Sequence, residues 1–451
     1  MERENKTELA TEPIGKLFFR LAVPAVVAQV INVLYNIIDR VYIGHIPEVG
    51  AIVLTGVGVT MPIILAVSAF ASLVSMGGAP RAAMMMGENN YKSAEETLGT
   101  CTCSLIIISL FITVIMFVFG KSILQSFGAS NDTISYALGY IQIYSIGTIF
   151  VQLSLGLNAF IITQGYGVTS MLTVLIGAVL NIILDPIFIF VLNMGVRGAA
   201  LATIISQAVS SIWVVKFLCS KKSILHLKIE YLKIKPKLLF PCIALGFSPF
   251  LMQLTENVVA VSFNVALLKY GGDIAVVAVS ILCSIMNFTM LLIVGLTQGA
   301  QPILSYNLGA GNKLRVKRTF YLLLLCCVIG SVSIWSVCMF DSNFVASIFT
   351  DQQKLINYTA WSLKIYMGMS AIFGVQIACQ YSLVALNQAP IAIFLSIYRK
   401  ILLLIPLIFV LPYFFNNKAM AVFLAEPIAD TLAVCTTSVF FFIKFRKLVG
   451  K

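Results

Sequence analysis

Twelve apolar runs, parted by short polar breaks, leave this chain few ways to fold. A helix needs about 20 apolar residues to cross a bilayer. The runs cover residues 17–43, 53–76, 98–119, 137–157, 171–192, 199–218, 238–268, 274–296, 320–340, 363–386, 391–415 and 419–442. A closed membrane barrel would instead show alternating segments of about ten residues. Of the 451 residues, 59% are hydrophobic and 11% charged, against roughly 45–50% and about 25% in soluble domains. A water-soluble fold could not cover its surface from such a composition. The expectation is an all-α integral membrane protein of about twelve transmembrane helices.

Charge places these helices in two groups. The net charge of +12 could suggest nucleic acid, but no basic domain exists to host it, and no nucleic-acid partner is expected. The basic residues sit in the breaks, as the positive-inside pattern requires. One break, 219–237, is rich in lysine and is interrupted by Pro236. It divides the chain into lobes at 1–218 and 238–451, joined by a basic linker. If both termini are cytoplasmic, 21 Lys and Arg lie on the inner side and five on the outer. The polar start, Met1 to Glu12, carries no signal-peptide pattern. The ten cysteines lie mostly in apolar runs without Cys-x-x-Cys spacing and read as small packing residues. With two histidines, no histidine metal site is expected.

The halves look alike in detail. Pro80 and Gly87 close the second span, and Pro302 and Gly309 close the eighth, both pairs offset by 222 residues. Pro24 and Gln29 correspond to Pro249 and Gln253, offset by 225 and 224. Two pseudo-repeated six-helix bundles in one orientation suggest a transporter with its substrate cavity between them.

Five acids interrupt the apolar spans: Asp39, Asp185, Glu256, Glu426 and Asp430. A carboxylate in hydrocarbon costs a few kcal/mol or more, so each is a functional candidate facing protein or water. Asp185 follows Asn181 by four residues, on one helix face, and precedes Pro186, which loosens the helix. An amide oxygen beside a carboxylate is a hard-oxygen pair that an alkali cation or a proton would accept. Asp39 lies 19 residues past Arg20, roughly 28 Å along a helix, in the outer half of the bilayer. Pairing with adjacent Arg40 would be poor, because neighbouring helical residues point about 100° apart. Glu256 sits in a polar cluster with Gln253 and Asn257 that could line a cavity. Glu426 and Asp430 share a face, where they repel unless one is neutral or paired, and Arg399 is the natural partner. Tyr35, Asn36, Tyr140 and Tyr144 in the first half, and Met286, Phe288, Met290 and Tyr381 in the second, could line the path of a flat, cationic, lipophilic guest. Stacking, cation–π and sulfur contacts would hold it.

These motifs resemble the multidrug and toxic compound extrusion (MATE) family, and within it the MepA-type bacterial multidrug branch. The resemblance rests on Leu-Ala-Val-Pro at 21–24 with the Asp39 region, the string Leu180 to Pro186, and Gly195 to Thr203. It rests also on the Pro80…Gly87 and Gln301-Pro302…Gly309 loops, Arg399 through Pro406, and Ala425-Glu426-Pro427. It spans nearly the whole chain. It implies an antiporter of the bacterial inner membrane, both termini cytoplasmic, exporting cationic drugs as H⁺ or Na⁺ enters. The cation site would comprise Asp39, Asn181, Asp185 and Thr203, all present here. The resemblance also marks a departure. A branch that couples through the C-terminal lobe uses acids on the seventh and tenth spans, and residues 363–386 hold none. Coupling is therefore expected in the N-terminal lobe, with Glu256 in a substrate-side role.

No cofactor is expected beyond the coupling ion, and no partner beyond small-molecule cargo and lipid; a monomer is expected. A lipid-linked oligosaccharide flippase would favour fourteen spans and a basic cavity. A membrane-embedded enzyme would want a catalytic cluster at a membrane face, and no His-Glu-x-x-His or Gly-x-Ser-x-Gly occurs.

Overall fold

The computed structural model describes residues 8–47 and 49–450, and their regular structure is entirely helical. The first half holds α1 (Ile14–Gly44), α2 (Gly50–Gly87), α3 (Tyr91–Ser126), α4 (Ile134–Ile146 with Thr148–Thr163), α5 (Gly167–Val191) and α6 (Val196–Leu218). In the second half a helical run of 74 residues, Pro236–Gly309, is broken at Gly272 (φ 69°, ψ −169°). At 1.5 Å per residue such a run would reach about 110 Å, several times the roughly 30 Å of a hydrocarbon core. Glycine adopts this positive φ without a Cβ clash, so α7 (236–271) turns back into α8 (273–309). There follow α9 (Lys313–Phe340), α10 (Gln353–Tyr366 with Ser370–Ala385), α11 (Ala389–Tyr413) and α12 (Lys418–Val449). The described residues thus hold twelve crossing segments.

Two details differ from the sequence reading. The fourth and tenth segments are bent, by 56° and 52°. The stretches 80–87 and 301–309 are not loops; α2 and α8 run through Pro80 and Pro302 and end on Gly87 and Gly309. Tertiary packing here overrides the local penalty of proline, which removes one ladder bond.

The repeat is written into the helix ends at one register of 222 residues. Gly87 and Gly309 end α2 and α8, and Tyr91 and Lys313 begin α3 and α9. Between them Asn89 and Gly311 both take positive φ, 61° and 69°. Asn90 and Asn312 both cap the next helix, accepting from Ser93 N (3.1 Å) and Arg315 N (3.4 Å). Such caps satisfy orphan amides of the first turn. α5 and α11 begin at Gly167 and Ala389, α6 and α12 at Val196 and Lys418.

The halves meet along a seam confined to the linker side. A Cβ on Gly87 would land on the Tyr306 carbonyl, and one on Gly309 on the Met84 carbonyl, so backbones touch reciprocally. Side-chain bonds between halves lie at the same end or at its upper limit. Gln29 Nε2 donates to Gln298 Oε1 (3.3 Å), Gln253 Nε2 to Ser72 Oγ (2.9 Å) and Arg81 Nη1 to Asn387 Oδ1 (3.2 Å). Phe70 and Phe250, 5.2 Å apart, lie at the level of the Gln253–Ser72 bond. Asn307 and Arg315 grip the carbonyl of buried Leu9, at 3.0 and 3.2 Å, tying the N-terminal segment to the second half. Beyond Gln29 and Gln253, the described residues show no side-chain hydrogen bond from one half to the other. The hydrogen-bonded contact between the halves is thus concentrated at the linker end. The linker docks on the first half: Gln164 Oε1 accepts from Ile224 N (2.7 Å) and Leu225 N (2.9 Å), and Glu95 Oε2 from Lys228 Nζ (2.6 Å).

Overpacking such a contact costs about 1–3 kcal/mol. Gly309→Val should therefore pry the seam, and buried Cys242, packed against Gly77, should react with a thiol reagent about tenfold faster. Peptide-level labelling measures this; an unchanged rate would show that the seam does not depend on close backbone approach.

Candidate cation and cargo sites

In the first half, helical spacing puts Asn181 and Asp185 one turn apart on α5, facing α1 and α6. Asn181 Nδ2 donates to Asp185 Oδ1 (3.2 Å) and to Thr203 Oγ1 (3.4 Å). Thr203 spends its proton on the Ala199 carbonyl (3.0 Å), leaving lone pairs toward Asn181. Asp39 comes from α1, its carboxyl within hydrogen-bonding reach of the Asp185 carboxyl. Asp185, Asn181 and Asp39 are 0%, 2% and 8% exposed. Asp39 Oδ1, Asn181 Oδ1 and Asp185 Oδ2 have no hydrogen-bond partner. Arg40 points elsewhere, to Met61 Sδ at 3.5 Å.

The four residues named for coupling therefore lie together, and what they present is oxygen. Two unit charges about 4 Å apart repel by about 4 kcal/mol at an effective dielectric of 20. A proton or a monovalent cation between the carboxyls removes that cost and satisfies the orphaned acceptors. Tyr35 stands beside Asp39. Tyr140 stands beside Asp39 and Thr203 and stacks on Tyr144, 6.1 Å between centroids. A polar cavity continues from Asn181 and Thr203 toward the linker side, lined by Asn32, Asn158, Thr173, Ser206 and Ser210. Sequence reasoning did not find it, because single hydroxyls and amides in apolar runs usually bond their own helix backbone.

The second half contrasts sharply. Arg399 and Lys400 lie on a wider, π-helical turn of α11, Tyr398–Leu404. Arg399 reaches Asp430 Oδ1 through Nη2 (2.7 Å) and Nε (2.9 Å), and Glu426 Oε1 at 3.1 Å. Its guanidinium lies over the Phe373 ring at 4.7 Å. Lys400 bonds Glu256 across to α7, a pairing the sequence reading missed. The signal was present as the Arg-Lys doublet inside a span. Tyr381 is half-buried and packs against the second half's core.

The other cargo candidates scatter. Asn36 is exposed and donates to the Asn32 carbonyl (2.6 Å). Gln253 is taken up by the seam. Asn257 is half-buried next to Glu256. Met286 and Met290 pack with the second half's core, while Phe288 is exposed.

Comparison with known proteins agrees with the repeat. Residues 24–187 and 249–410 both match the MatE family. The chain is 26% identical over 423 residues to the multidrug export protein MepA of Staphylococcus haemolyticus, covering 93% of this chain and 92% of that protein. It is 24% identical to MepA of Staphylococcus saprophyticus, covering 97% and 96%. A multidrug resistance MATE family transporter of the MOP superfamily, solved in an outward-facing conformation, superposes with a TM-score of 0.90 at 19% identity, covering 98% of each chain. A MOP superfamily transporter from Pyrococcus furiosus gives 0.89 at 19% identity, covering 98% of each. At that identity the structural likeness speaks for the fold. With the family matched in both halves over most of its length, this chain is a member of the MatE family.

Proposed function

We propose that this protein is a multidrug efflux antiporter, exporting lipophilic, mostly cationic compounds in exchange for H⁺ or Na⁺ across a bacterial cell membrane, with both termini cytoplasmic. The observation that carries the reading is the pair Asp39 and Asp185: buried, mutually close, rich in unpartnered oxygens and without a basic partner. Relatives that carry the name multidrug export protein support the cargo class. A flippase for anionic lipid-linked sugars would want exposed basic groups in the cleft. Here Arg399 and Lys400 are each about 5% exposed and neutralised by carboxylates, which favours cationic cargo.

The mechanism follows from charge. With the cleft open, a cation or proton enters between Asp39 and Asp185 and neutralises them. The electrostatic hold on a cationic guest weakens, and α1 repacks against α5. The guest leaves, the halves rock about the seam, and the cleft opens on the linker side. Cargo and coupling ion thus bias one conformational equilibrium in opposite directions. The protein works as a monomer, with chemistry limited to binding and release.

Asp185→Asn should abolish gradient-driven efflux of a fluorescent cation from proteoliposomes while leaving the thermal transition of the folded protein in place. Undiminished driven efflux would refute the assignment. Thr203→Val removes one neutral oxygen, a ligand that an alkali ion uses and a proton does not need. Losing a hydrogen-bond-strength contact of about 1.4 kcal/mol lowers an affinity tenfold. Na⁺-driven exchange should therefore need about ten times more Na⁺, with proton-driven exchange unchanged. Equal effects on both would show that Thr203 is only structural.

A further inference from the structure

The repeat allows the two halves to be laid on one another residue by residue. In the 222-residue register, Gly177 and Ala178, which line the cavity of the first half, fall on Arg399 and Lys400. In α1 and α7 the seam glutamines Gln29 and Gln253 set the offset at 224. There Asn32, another cavity-lining residue, falls on Glu256. The place that holds open space beside an amide in the first half holds a guanidinium, an ammonium and a carboxylate in the second.

The charges there do not balance. Glu256, Glu426 and Asp430 face Arg399 and Lys400, leaving one negative charge in excess. Arg399 already satisfies Asp430 and shares Glu426 Oε1. Glu426 is 5% exposed, and its second oxygen has no partner. Lys400 has a side chain 5% exposed, whereas that of its partner Glu256 is 49% exposed. A hydrophobic side chain at 400 would avoid the cost of burying an ammonium. The ammonium therefore does something a packing residue would not: it fills a cation's place.

We propose that the second half contains a counterpart of the first half's polar cavity and that Lys400 occupies it as a tethered cation. Glu256 and Glu426 are the carboxylates of that site, and the mobile coupling ion binds in the first half alone. This rests on the antiport reading for the first half. It predicts that removing the ammonium creates a site for a free monovalent cation, inorganic or small alkylammonium.

The test is made in full-length Asp185→Asn protein, which silences the first half. Lys400→Ala is added, and thermal unfolding is followed while Na⁺ or n-propylammonium replaces N-methylglucamine at constant ionic strength. Ligand at a hundredfold its dissociation constant should raise the midpoint saturably, by about 3 °C, in Lys400→Ala but not in the parent. Adding Glu256→Gln should abolish the response. Equal responses in parent and Lys400→Ala, or a response that survives Glu256→Gln, would overturn the proposal. If Lys400→Ala does not accumulate in membranes, the yield itself decides. Lys400→Ala with Glu256→Gln restores the native net charge and should accumulate; equal failure of both counts against the tethered cation. Failure of the antiport reading would appear separately, as driven efflux persisting in Asp185→Asn alone.

Discussion

A carboxylate in the interior of a membrane protein must have a positive charge beside it, and the two halves of this chain meet that demand in opposite ways. In the second half the positive charge is covalent. Arg399 is clamped by Asp430 and Glu426, and Lys400 by Glu256. Breaking such a buried pair from one side typically costs about 3–5 kcal/mol, so this cluster resists change. In the first half no basic side chain among the described residues pairs with Asp39 or Asp185, and each carboxyl keeps an oxygen without a hydrogen-bond partner. The same physical demand is thus met by ion pairs in one half and left open in the other of a single repeated scaffold.

The second constraint is steric. Two membrane bundles gain no hydrophobic advantage by docking within lipid, so their helices must approach closely enough for dispersion contact, which small residues permit. Gly77, Gly87, Gly246 and Gly309 let backbones of α2, α7 and α8 touch at the linker end. A seam made of backbone contact and a few side-chain hydrogen bonds is dense yet cheap to separate, since among the described residues no ion pair joins the two halves. It suits a hinge better than a ladder of ion pairs would.

Much of this architecture was legible in the sequence, for reasons that can be named. Apolar run length follows from bilayer thickness, so twelve segments could be counted even where Gly272 alone separates α7 from α8. Acids in oil stand out because they are expensive, so Asp39 and Asp185 were visible. Their convergence with Asn181 and Thr203 was expected from the family resemblance rather than from spacing, since α1, α5 and α6 are distant in sequence. The bends of α4 and α10 were not legible, because Gly147 and the 367–369 turn carry no distinctive signal within apolar text. The partnership of Lys400 with Glu256 was hidden as well. It depends on a π-turn that rotates two consecutive basic residues inward, and on contact between segments 144 residues apart.

One helix belongs to both constraints at once. The linker half of α1 packs Ala22 and Val26 against Gly299 and Gly295, while its outer half carries Asp39. From Ala22 to Asp39 is about 25 Å along one continuous helix, with Pro24 inside the seam contact. α7 is its counterpart, with Gly246 in the seam and Glu256 above. Under the proposed coupling, ion occupancy changes the charge at Asp39, whereas Glu256 is paired with Lys400. A change at the top of α1 therefore has a mechanical route to the seam that α7 lacks. On the antiport proposal, the asymmetry of charge in a symmetric scaffold is what would give the cycle a driven side.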